Sequence, residues 1–105
     1  MKIQTTAVHF AADQKLLSYV DQKVGKLMHF FDRIVDVSVF LKLENSGQVR
    51  YKIVELKLNV PGETLIAKET NKTFEAAVDL VVDNMKRQIN RHKERQNGRA
   101  AANEE

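Results

Sequence analysis

Residues 34–60 read IVDVSVFLKLENSGQVRYKIVELKLNV, and this stretch decides the fold. It contains two runs in which apolar and polar residues alternate, separated by a turn-forming segment at residues 44–47. Alternation with a period of two is typical of a strand that buries one face and exposes the other to water. We therefore predict a meander of three antiparallel strands: one from Ile34 to Leu43, one from about Val49 to Val60 and, after a turn at Pro61 and Gly62, a shorter one from Leu65 to Glu69.

The residues on either side of this meander have the spacing of a helical face. Asp13 can cap a helix that runs to about Phe30, and Thr73 can cap a second, longer helix. The predicted buried positions are Leu17, Val20, Val24, Leu27, Met28 and Phe31 in the first helix, and Phe74, Val78, Val81, Met85 and Ile89 in the second. Beyond Ile89 the second helix is almost wholly polar, so we expect it to project from the core and to end near Asn97.

A short strand over residues 2–10 precedes the first helix and completes the order β-α-β-β-β-α. This order predicts an α+β fold, a four-stranded mixed sheet with two helices packed on one face. A strand-helix-strand connection crosses over right-handed, so the first strand should lie parallel to one neighbour. The chain has 105 residues, which predicts one domain over residues 1–96 and a flexible tail over residues 97–105.

Composition excludes several classes of site. The chain has no cysteine, which excludes disulfides, thiol nucleophiles and thiolate metal sites. His9, His29 and His92 fall at a strand end, a helix end and the exposed tip of the second helix, so they form no predicted ligand group. The glycines do not have a phosphate-loop spacing, and we expect neither a leader nor a membrane segment. We therefore expect no catalysis, metal, cofactor or small-molecule substrate, no membrane contact and a cytoplasmic location.

Positive charge is concentrated in one short segment. The whole chain has 17 basic and 14 acidic residues, and the two signs cancel over residues 1–85. Residues 86–99 carry Lys86, Arg87, Arg91, Lys93, Arg95 and Arg99 against Glu94 alone. A local excess of cations, most of them arginine, favours a polyanion as the partner.

Helical spacing predicts how these cations are arranged. Arg87, Arg91 and Arg95 share one stripe of the second helix, while Lys86 and Lys93 lie on its opposite flank. Lys23 and Lys26 are neighbours on the first helix. With the helices side by side, we predict one concave basic strip that follows a phosphate backbone. The aromatic residues are better explained as core, so recognition by shape and backbone is expected rather than base stacking.

Several segments together resemble the ribosome hibernation promoting factors and the related ribosome-associated translation inhibitors. The resemblance lies in residues 19–34, 61–67, 76–79 and 86–93, which include Phe31-Asp32-Arg33-Ile34, Pro61-Gly62, Ala76-Ala77-Val78-Asp79 and Lys86-Arg87-Gln88. It implies a fold like that of double-stranded-RNA-binding domains and a short family form without a second domain. The chain departs from the family pattern at Leu17, where a basic residue is common, and at Glu75, where a tyrosine is common.

The resemblance also implies a function. Such proteins occupy the mRNA and tRNA channel of the small ribosomal subunit, contact its 16S-type rRNA, inhibit translation and promote ribosome hibernation under stress or in stationary phase. Pairing of ribosomes by a short form would need a second hibernation factor. The implied RNA-binding residues are Lys23, Lys26, Lys86, Arg87, Gln88, Arg91 and Lys93, and the charge pattern adds Arg95.

Two other functions fit the residues. The polar face of the sheet, around Ser38, Glu55 and Lys57, is the surface that a protein-protein interaction module would use. A protein that binds free double-stranded RNA would use the same cations as a ribosome-binding factor. Salt dependence separates the first function from the other two, because a contact between neutral surfaces depends little on counterions.

Overall fold

Six elements follow one another in the predicted order. The computed structural model describes the backbone of residues 2–46 and 49–104 and the side chains of residues 2–44 and 51–96. The elements are β1 (Lys2–Ala7), α1 (Gln14–Phe30), β2 (Asp36–Ser46), β3 (Val49–Val60), β4 (Glu63–Asn71) and α2 (Phe74–Glu104). Gly47, at the end of the predicted turn between β2 and β3, lies outside the described residues.

The strands form one mixed sheet in the order β1-β2-β3-β4. β1 pairs with β2 in parallel, and both later pairs are antiparallel. The register places Val37 opposite Leu58 and Leu56 opposite Ala67, so the apolar residues of neighbouring strands share one face. The predicted α+β class, the parallel pairing of the first strand and the mixed sheet are confirmed.

Both helices begin at the residues that the caps predicted. The Asp13 carboxylate accepts a hydrogen bond from the backbone N–H of Leu16 at 2.8 Å. The Thr73 hydroxyl accepts one from the N–H of Ala76 at 3.1 Å. Each contact satisfies a donor that the first helical turn leaves without a partner.

The core lies between the helices and one face of the sheet, and two predicted core positions are corrected. Leu16, 7% exposed, belongs to the core, whereas Leu17 and Met28 are only partly buried. α2 lies against the side of α1 that carries Tyr19 and Lys23, as their contacts with Asp79 show. At about 100° per residue, Leu16 faces that side and Leu17 turns away from it.

α2 is longer than predicted. It continues past Asn97 to Glu104, so the expected end near Asn97 is wrong. A glycine inside a helix costs only about 1 kcal/mol relative to alanine, and the three alanines that follow favour the helix. The molecule measures 58 Å along its longest axis against 28 and 18 Å across, which agrees with a projecting end of α2. None of the helices, over the part of the chain that is described, is long and apolar enough to cross a bilayer.

Replacing either of two glycines with alanine tests the backbone conformation, because the two substitutions should change the free energy of unfolding in opposite directions. Gly62 has a φ of 90°, whereas Gly25 lies inside α1, and a Cβ at either position would meet no atom within 4 Å. Gly62→Ala should lower the free energy of unfolding by about 1–2 kcal/mol through left-handed strain. Gly25→Ala should raise it by about 1 kcal/mol through helix propensity. Urea unfolding measures both, and a change of the same sign in the two variants would contradict this account.

Candidate nucleic-acid interface

One group of predicted cations lines a groove between the helices. Lys23 and Lys26 of α1 face Lys86 of α2 across a space of about 270 Å³ that Asp79, Val82 and Asp83 also line. The Lys23 ammonium lies 3.8 Å from an Asp79 oxygen. Three cations against two carboxylates leave this groove with a small positive excess.

Asp79 also joins the two helices. It accepts a hydrogen bond from the Tyr19 hydroxyl at 2.6 Å. That hydrogen bond, together with desolvation and the negative charge of Asp79, raises the pKa of Tyr19. The phenol therefore remains a donor, and Asp79 of α2 contacts both Tyr19 and Lys23 of α1.

A second group lies on the other flank of α2, against β4. Gln88, Arg91 and Arg95 line an open groove of about 440 Å³ together with Glu63, Thr64 and Leu65. The Gln88 amide donates to the backbone carbonyl of Ile66 at 2.8 Å and to the side-chain oxygen of Asn84 at 3.0 Å. β4 is an edge strand, so this bond satisfies a carbonyl that has no neighbouring strand.

Arg87 lies on the outer ridge of α2 between the two flanks, and both Arg87 and Arg91 are exposed. The cations therefore line two grooves and a convex ridge rather than the single concave strip that was predicted. The reason is the rotation of α2: residues 86–95 spread their cations over more than half of the helix circumference, and the remaining side faces the sheet.

That inward side carries a residue whose predicted place was wrong. His92 was expected at an exposed tip, but it is only 3% exposed. Its Nδ1 is hydrogen-bonded to Glu63, and its ring makes a T-shaped contact with the ring of Phe31, with centroids 5.7 Å apart. The signal was present in the sequence, because Met85, Ile89 and His92 follow one another at four and three residues, the spacing of one helical face.

Glu63 binds two residues of α2. Its carboxylate accepts from Arg95 Nη2 at 2.8 Å as well as from His92. The hydrogen bond from Arg95, then that from His92, holds the pKa of Glu63 below its usual value. Glu63 follows the turn at Pro61 and Gly62, so this turn fixes the position of α2 over the end of the sheet.

Lys93 fixes the end of α1. Its ammonium donates to the backbone carbonyl of Phe30 at 3.0 Å and lies 4.6 Å from the centroid of the Phe30 ring. Phe30 is the last residue of α1, where carbonyls lack helical partners and a cation is favoured. Lys93 therefore has a structural role in addition to its predicted RNA contact.

A metal site would need several ligands in one place. Within the described ranges, no three His, Asp or Glu side chains are close enough together to hold a metal ion.

Comparisons with known proteins agree with this fold. Residues 3–97 match the family described as Sigma 54 modulation protein / S30EA ribosomal protein. The chain is 32% identical over 96 residues to the ribosome hibernation promoting factor of Pseudomonas putida, covering 91% of this chain and 90% of that protein. It is 31% identical over 96 residues to the factor of the same name from Azotobacter vinelandii, covering 91% and 86%.

A solved structure gives the same architecture. The ribosomal subunit interface protein from Coxiella burnetii superposes with a TM-score of 0.78 at 22% identity, covering 89% of this chain and 98% of that one. At this identity the likeness concerns the fold.

The Glu63 contacts predict a pH dependence of stability. A carboxyl whose pKa is lowered by folding contributes stability above its unfolded value, here 4.5, and this contribution is lost as the pH falls through the folded value. Glu63→Gln should therefore unfold at lower urea than the wild type at about pH 6, and the difference should shrink by about pH 3. Glu94→Gln, at an exposed position of α2, is the matched control and should follow the wild type. A constant difference between Glu63→Gln and the wild type at both pH values would contradict the assignment.

Proposed function

The chain belongs to the Sigma 54 modulation protein / S30EA ribosomal protein family, and from this premise we propose that it binds the ribosome and acts as a hibernation factor. Relatives that carry the name ribosome hibernation promoting factor match about nine tenths of the chain. The protein then belongs in the cytoplasm, where ribosomes are, and its action is binding rather than catalysis.

We further propose that the helical side of the molecule faces the RNA of the small subunit. The observation that carries this proposal is the set of cations on the outer side of the helices, which contains the exposed Arg87 and Arg91. Phosphate contacts supply most of the affinity in such interfaces and need no base-specific geometry. Bound in the mRNA and tRNA channel, the protein inhibits translation by occlusion, and a second hibernation factor is required if ribosomes are to pair.

The eight predicted contact residues divide by their internal partners. Lys26, Lys86, Arg87 and Arg91 make no ion pair among the described residues, and Lys23 has one long, exposed contact with Asp79. These five are proposed as the main phosphate contacts. Gln88, Lys93 and Arg95 each bind another element of the fold, so they are proposed as secondary contacts that use their remaining donors.

The uncovered face of the sheet supports the alternative function. It carries Ile66, which is 53% exposed, and it includes Ser38, Glu55 and Lys57. Glu55 is paired with Lys42 at 3.3 Å on the same face. A protein partner would find here a mixed surface with little net charge, and its binding would depend little on salt.

Sedimentation of ribosomes in sucrose gradients tests the proposal. We expect the protein in ribosomal fractions at low salt, with its affinity falling by about 10³ between about 50 and about 200 mM salt if about six phosphates are neutralised. Its absence from ribosomal fractions at low salt would refute the proposal. Binding that is indifferent to salt would favour the sheet face, and equally tight binding to naked duplex RNA would favour a free RNA binder.

The exposed arginines give the sharper test. Replacing Arg87 and Arg91 together with alanine should weaken ribosome binding and lower the slope of log affinity against log salt by about two, because each lost phosphate contact removes about one. The melting temperature should hardly change, since neither side chain is buried. The control is Lys57→Ala with Lys68→Ala, which removes two exposed cations from the opposite face of the molecule. Equal losses of affinity in the two double variants would contradict the proposed interface.

A further inference from the structure

A cavity of about 340 Å³ lies where the two helices come together over the end of the sheet. Phe31 and Arg33, just after α1, form one side, and Pro61 of the turn between β3 and β4 forms another. The cavity is completed by residues of α2: His92, Lys93 and Gln96. Its volume is at the lower end of the range of small-molecule sites. It is separate from both of the grooves that flank α2.

The walls of this cavity include apolar surface, most of it from Pro61. Phe31 is only 8% exposed, since His92 packs against its ring and the Lys93 ammonium lies 5.5 Å from the ring centroid. Pro61 is exposed and forms the accessible apolar wall. A proline ring and the accessible edge of an aromatic ring offer apolar contact to an unpaired base.

The lining residues are positively charged. Arg33 and Lys93 both line the cavity, and none of the lining residues is acidic. The nearby Glu63 is hydrogen-bonded to His92 and Arg95 and is not part of the lining. Lys93 uses one of its three donors on the carbonyl of Phe30, which leaves two for an anion.

Hydrogen-bonding groups complete the lining. The Gln96 amide can both donate to and accept from the edge of a base. His92 is held in place through its Nδ1 by Glu63. Because a carboxylate can only accept, this nitrogen carries the hydrogen, and the ring is fixed in orientation.

We propose that this cavity binds a nucleotide unit, a base joined to a phosphate. The base lies against Pro61 and the accessible edge of Phe31, and Arg33 and Lys93 bind the phosphate. The unit has two chemical sources, a free mononucleotide or an unpaired nucleotide of an RNA. If the source is a free mononucleotide, the inference goes beyond the proposed function. If the source is an unpaired nucleotide of an RNA, the inference rests on the proposed function.

Titration of the isolated protein with adenosine monophosphate tests the cavity directly. We expect saturable NMR shifts of the His92 ring and of the backbone amides of Arg33 and Gln96. Arg33→Ala should weaken this binding about tenfold, as expected for the loss of one hydrogen bond to a charged group. Arg33 is exposed, so this variant should keep its fold. Lys68→Ala, on the far face of the sheet, is the matched control and should bind like the wild type.

Ribose 5-phosphate and inorganic phosphate test the role of the base. Weaker binding of both than of adenosine monophosphate supports the proposal, and equal binding overturns it. A short unpaired oligoribonucleotide and the same chain with one abasic position then distinguish the sources. Shifts with the oligonucleotide alone identify RNA as the source, and shifts with the mononucleotide identify a free nucleotide. The absence of shifts at these residues with every probe overturns the proposal.

The outcome is independent of ribosome binding. Wild-type protein that sediments with ribosomes but shows no shifts with any probe overturns the nucleotide site and leaves the proposed function intact. Protein that binds the mononucleotide but stays out of ribosomal fractions supports the site and refutes the proposed function.

Discussion

The orientation of α2 against β4 is the constraint on which the arrangement of the other surface residues depends. Glu63 binds His92 and Arg95, and Gln88 binds the carbonyl of Ile66. These polar contacts act together with the buried Met85 and Ile89. The apolar stripe turns one side of α2 towards the sheet, because any other orientation would expose its buried residues to water. The hydrogen bonds are directional and reinforce this orientation, so the two together determine which cations face outward.

The fold was largely predictable because its signals are local. The alternation in β2 and β3, the caps at Asp13 and Thr73 and the turn at Pro61 and Gly62 each depend on a few neighbouring residues. The burial of Leu16 rather than Leu17 was not predictable in this way. Both residues lie about equally close to the buried stripe of an isolated helix, and the choice between them depends on the side on which α2 packs.

The candidate site was predictable in its composition but not in its arrangement. The excess of cations after residue 85 is plain in the sequence. Their division between two flanks follows from the rotation of α2, and the pairing of Arg95 joins residues 32 positions apart. His92 shows the same limit: its spacing from Ile89 indicated burial, but its partner Glu63 lies on another strand, 29 residues away.

The internal partners of the cations also separate two kinds of positive charge on the two helices. An exposed ion pair such as Lys23 with Asp79, 3.8 Å apart, contributes about 0–1 kcal/mol. A phosphate can therefore replace the carboxylate at little cost. Arg95 differs, because its removal would leave Glu63 with fewer donors beside a buried histidine. Among the cations of α2, Lys93 and Arg95 therefore have partners in other elements of the fold. Lys86, Arg87 and Arg91 make no ion pair among the described residues, so a phosphate would displace no carboxylate from them.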